Sequence, residues 1–78
     1  MPKSTFGYNR EAKNGKEAAL KYCQEWESEI KAAGIALAAE FSGKKIDRSA
    51  YNVRRESLNI QTRELNECIQ SINRQFGS

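Results

Sequence analysis

The sequence predicts an all-α protein, an antiparallel two-helix hairpin with an N-terminal arm, and three observations carry that prediction. Apolar residues recur at helical spacing through two long stretches, residues 17–41 and 47–76. The intervening turn, residues 42–46, holds Ser42-Gly43, a helix stop. The chain's single proline is Pro2, so neither stretch is interrupted. A turn that short sends the second helix back along the first.

Residues 1–16 read as a polar arm punctuated by Pro2, Gly7 and Asn14-Gly15. Asn9, a favoured cap, is placed to start one helical turn through Ala12. Phe6 and Tyr8 invite docking of this arm onto something else.

In the first long helix, Ala19, Cys23, Trp26, Ile30, Ala33 and Leu37 follow alternating spacings of four and three, one apolar seam. Lys21, Gln24, Glu25, Ser28 and Lys31 take the opposite side. Phe41 closes the pattern, and Gly43 suits the left-handed position that ends a helix.

Asp47 or Ser49 is the expected cap of the second helix. Its seam is Tyr51, Leu58, Leu65 and Ile72 at sevenfold spacing, with Ile69 and Phe76 in the other heptad row. Arg55 and Thr62 are polar members of that row, as in a coiled coil with a specificity device. Folding about the turn makes facing residue numbers sum to roughly 90. Trp26 then faces Leu65, Ala19 faces Ile72, Leu37 faces Val53, and Ile30 faces Ile60 or Gln61.

The same count sets Cys23 against Cys68. Two readings stand: a pair of small reduced core side chains, or a disulfide if the Cα atoms lie within ~7 Å. The chain has no His and no CxxC pair, so neither a zinc site nor any other cofactor is expected.

At 78 residues the chain is near the lower limit for independent folding. Such domains rely on staples, very good helix packing or oligomerisation. The net charge is +3 and the pI about 9.0. Five bases (Lys44, Lys45, Arg48, Arg54, Arg55) against Asp47 make residues 43–55 the most basic segment, whereas residues 17–42 are acidic. The longest apolar run, residues 32–39, is well short of the ~20 residues of a membrane span, and a cytoplasmic location is expected. Glu25, Glu27, Glu29, Glu64 and Glu67 read as solvated, and Phe41-Ser-Gly-Lys-Lys45 lacks the spaced glycines of a phosphate loop. No catalytic residue is expected, and the protein is not expected to be an enzyme.

The turn-proximal half carries more apolar surface than two helices can hide. Ile35 points off the first seam, and Val53 and Ile60 lie a heptad apart off the second. The candidate covers are the arm through Phe6 and Tyr8, a second copy forming a four-helix bundle, or a different protein. Gly34, among alanines, costs ~1 kcal/mol in a helix interior and implies close approach of another backbone. The expected function is a small protein–protein interaction module, a regulator or inhibitor of a larger complex. Its surface would be Ile35, Val53 and Ile60, rimmed by Lys44, Lys45, Arg48 and Arg54. The alternative is a nucleic-acid-binding accessory protein using Arg48, Tyr51 and Arg55, which share one helix face.

The run Leu37-Ala-Ala-Glu-Phe-Ser-Gly43, with Ala50-Tyr51 and Glu64-Leu65-Asn66 after it, resembles the WxG-motif secreted helical-hairpin family. Phe41 stands where that family has its Trp. The resemblance covers about forty residues of helical character and implies a dimeric four-helix bundle exported without a cleaved signal.

Overall fold

A computed structural model of the chain describes residues 3–77, and all regular structure there is helical. Helix α1 spans Thr5–Ala12, α2 Lys16–Ser42 and α3 Arg48–Phe76. Helices α2 and α3 lie along one another and α1 packs against both, within a rod of 45 × 22 × 15 Å. At one end Glu40 pairs with Arg54 and Phe41 stacks on Tyr51. Toward the other, Ala19, Cys23 and Trp26 share a buried cluster with Leu65, Cys68 and Ile72. The two long helices therefore run in opposite directions.

The arm is more structured than its composition implies. Ser4, not Asn9, caps α1, its hydroxyl accepting from the Gly7 N–H at 3.3 Å. Asn9 lies inside the helix. Tyr8 and Ala12, four apart, form a buried stripe only two residues long. That stripe is too short to register as periodicity, and docking rather than propensity stabilises so short a helix.

The α2 terminus carries a further correction. Gly43 has φ −79°, and the left-handed residue is Lys44, at φ 59°. The Lys44 N–H donates to the Phe41 carbonyl and the Lys45 N–H to the Glu40 carbonyl, the paired bonds of a Schellman ending. Asp47 caps α3 by accepting from the Ala50 N–H at 2.8 Å, so Ser49 has no capping role. Thr62 turns its hydroxyl back to the Leu58 carbonyl, which satisfies this polar seam residue within its own helix.

The main core sits at the end away from the turn. Tyr8 and Ala12 complete the cluster, and Tyr22 meets Trp26 edge to face at 6.0 Å. Nearer the turn, Leu37 is buried, beside Leu58 rather than Val53. Ile30 lies beside Leu65 and Thr62, and of its two expected partners Ile60 is exposed and Gln61 half-buried. Only every third or fourth residue of α3 turns toward α2. Val53 precedes Leu58 by five positions, which rotates it away from the seam.

Candidate partner-binding surface

Helix α1 covers one face of the α2–α3 pair, and its attachments define that face. The Thr5 hydroxyl donates to Glu64 Oε2 at 3.1 Å. Lys3 Nζ reaches Glu29 at 3.0 Å and Glu25 at 3.7 Å, and lies 5.2 Å from the Tyr22 ring centroid. Its hydrogen bond to Glu29 raises the Lys3 pKa, opposed by desolvation and reinforced by the charges of Glu29 and Glu25. Glu25 and Glu29 continue along α2 through Ala33 and Ala36 to Glu40 in steps of three and four, a single row on one helix side. Glu64 lies seven residues from Ser57 on α3, again one row.

The turn-proximal part of the same face has no covering element among the described residues. It forms a groove of about 370 Å³ lined by Ala33, Ala36, Leu37, Glu40, Arg54, Ser57 and Leu58. Alanines and a serine open the space between the helices, Leu37 and Leu58 give it apolar walls, and the Glu40–Arg54 ion pair crosses its end.

The expected surface residues fall into three places. Val53 (70% exposed) and Ile60 (44%) stand one turn to either side of Ser57 on α3, outside the groove's lining. Ile35 is 73% exposed but lies two residues from both Ala33 and Leu37, so it projects from the opposite side of α2. Lys44, Lys45 and Arg48 are exposed beyond the groove and make no ion pair among the described residues. Arg54 is engaged by Glu40, and Arg55 donates to the Tyr51 hydroxyl at 3.2 Å. The Tyr51 ring is stacked on Phe41 with centroids 4.4 Å apart, which occupies one of its two faces.

The idea that Phe6 and Tyr8 cover the turn-proximal apolar residues is overturned. Tyr8 is buried in the distant core cluster, and Phe6 faces outward at 85% exposure. Of the groove's lining, Ala33, Leu37 and Leu58 belong to the expected apolar seams, whereas Ala36 and Ser57 gave no sign of a groove. Nothing lies within 4 Å of a Cβ built on Gly34, so no other backbone approaches it in the isolated chain.

Cys23 and Cys68 are buried free thiols. Burial pushes the Cys23 pKa up to about 11, with Cys68 adding to the effect. Burial also raises Cys68, while the Thr5 hydroxyl acts in the other direction. Tyr8 Oη and Trp26 Nε1 are buried in this region without hydrogen-bond partners. Thiols so disposed stay protonated and unreactive near neutral pH. Among the described residues no three His, Cys, Asp or Glu side chains are grouped to hold a metal, and no helix is long and apolar enough to cross a membrane. No family model matches the chain, and neither does any curated protein or solved structure.

Proposed function

We propose that this all-helical chain is a small non-enzymatic protein-binding module, a regulator or inhibitor that seats a partner on its turn-proximal half. It would work in the cytoplasm, where buried thiols such as Cys23 and Cys68 remain reduced. The exposure of Ile35, Val53 and Ile60 after α1 has docked at the far end carries this proposal. Burying each such side chain is worth roughly 1.5–3 kcal/mol, a strong drive toward association.

Because these side chains are exposed, replacing Ile35 and Ile60 with Asp leaves folding within about 0.5 kcal/mol of the parent. Affinity capture from the native host, with nuclease treatment, then compares parent and variant. Loss of the captured protein in the variant is the expected result. Unchanged capture rejects the module. Capture abolished by nuclease and by charge reversal at Arg48 and Arg55 would instead identify a nucleic-acid-binding protein. Sedimentation of the purified chain reads out a homodimer directly.

A further inference from the structure

We infer that a second copy of this chain, turned end for end, covers the open turn-proximal half. Two hairpins then form a four-helix layer with an α1 standing at each end. This rests on the partner-seating role of that half and names its occupant. The first ground is how little the half buries by itself. Among the described residues, Leu37 is the only one buried between Glu27 and Glu64, while the rest of the core gathers beside α1. The chain exposes 5854 Å² in all, about 1,000 Å² more than the ~4,800 Å² of a compact monomer of 8.8 kDa. A standard interface takes ~800 Å² from each partner, so the excess is of the size that one dimer contact removes.

The second ground is the symmetry of the open face. On α3, Glu64, Cys68 and Ser71 meet α1, and steps of four, three and four lead on from Glu64 through Ile60 and Ser57 to Val53. On α2 the matching row runs from Glu25 and Glu29, which hold Lys3, through Ala33 and Ala36 to Glu40. Ala36 and Ser57 line the same groove and so lie at one level. About that level both rows are nearly palindromic: exposed Val53 and Ile60 flank Ser57, and exposed Ala33 and Ala39 flank Ala36. A two-fold axis there sets Val53 of one copy against Ile60 of the other, and the reverse contact follows by symmetry. The alanines let the two α2 helices approach closely, while Val53 and Ile60 fill the wider gap between the α3 helices. Each α1 stands at the far end of its own hairpin, so neither obstructs the contact.

The test is sedimentation equilibrium of the intact chain over a range of concentrations. The expected result is a monomer–dimer equilibrium. Ile60→Asp should raise its dissociation constant about a hundredfold or more, because symmetry makes each substitution act twice. Ile35→Asp, on the other side of α2, should leave it unchanged. Cross-linking fixes the arrangement: Ser57→Cys, beside the axis, should form a disulfide with its own counterpart under mild oxidation, and Ile35→Cys should not. A chain that stays monomeric at every concentration overturns the inference. So does a dimer that survives Ile60→Asp, one that Ile35→Asp dissociates, or one that Ile35→Cys links and Ser57→Cys does not. If the chain is monomeric but host partner capture is lost with Ile35→Asp and Ile60→Asp, the dimer falls and the module stands. A dimer meeting these expectations, with capture unchanged by that pair of substitutions, keeps the inference and rejects the module.

Discussion

Tyr22 and Ser4 hold each other in both directions: the Ser4 N–H donates to the Tyr22 hydroxyl at 2.8 Å, and that hydroxyl donates to the Ser4 carbonyl at 3.1 Å. One side chain of α2 thereby ties down the residue that caps α1. Tyr22→Phe keeps the ring against Trp26 and removes both bonds. At ~0.5–1.5 kcal/mol per bond, the expected loss is about 1–3 kcal/mol. Hydrogen exchange should speed up in α1 while the α2–α3 amides keep their protection, and equal loss in all three helices would contradict this.

The same phenol explains a glycine in the middle of α1. A Cβ at Gly7 would overlap the Tyr22 hydroxyl and ring. Gly7→Ala should therefore destabilise, because ~1–3 kcal/mol of overpacking exceeds ~1 kcal/mol of improved helix propensity. In a Tyr22→Ala background the overlap is gone, and the same substitution should stabilise by about 1 kcal/mol. Urea denaturation of the four proteins gives the cycle, and failure of the sign to reverse rejects the steric account.

Lys44 occupies a left-handed position where glycine would fit without a steric penalty. Lys44→Gly should stabilise the isolated chain by about 1 kcal/mol, since a side chain in that conformation costs ~1–2. It should also weaken capture of a partner that contacts the exposed basic turn. A gain in melting temperature with weaker binding supports a lysine retained for contact rather than stability. A variant no more stable than the parent would show that the turn is not strained.

The long helices were legible because their apolar residues are large and regularly spaced. Trp26, Leu65 and Ile72 announce a seam, and Asp47 before α3 announces a cap. Helix α1 was not, since its buried stripe is Tyr8 and Ala12 alone and its cap works only once Tyr22 fixes Ser4. The groove was hidden for the opposite reason. Ala36 and Ser57 matter through the space they leave, and a hydrophobic pattern does not record that space. Ile35, Val53 and Ile60 are all exposed as expected, with Ile35 on the opposite side of α2 from Ala33 and Leu37, because two residues from the seam is more than half a helical turn.

Gly34 illustrates how the isolated chain and a complex can differ. With nothing within 4 Å of its Cβ position, Gly34→Ala should raise stability by about 1 kcal/mol through helix propensity. If a backbone packs there in a complex, the substitution should also weaken that complex. Thermal melts of the free chain and capture of its partner separate the two effects. Loss of capture by Gly34→Ala would move the contact from the groove to the other face.

The thiol pair makes stability depend on pH in the alkaline range. Cys23 is raised from 9.0 to about 11, and Cys68 and Tyr8 are raised as well, all chiefly by burial. The folded state thus binds these protons more tightly than the unfolded state. The Cys23 contribution is fully present below pH 9 and is lost as pH rises from 9 through about 11, and Cys68 and Tyr8 act in the same direction, Tyr8 from its ordinary value of 10.0 upward. For Cys23 alone the two-unit difference corresponds to about 3 kcal/mol, a large share of what a 78-residue chain can have. Urea midpoints should therefore fall between about pH 9 and about pH 11. Replacing Cys23 and Cys68 with Ala should flatten that fall, although the smaller side chains lower stability at neutral pH. Tyr8→Phe should flatten it further and, by removing a buried hydroxyl without a partner, should cost little or nothing below pH 9. A slope unchanged by all three substitutions would place the alkaline titration in other groups.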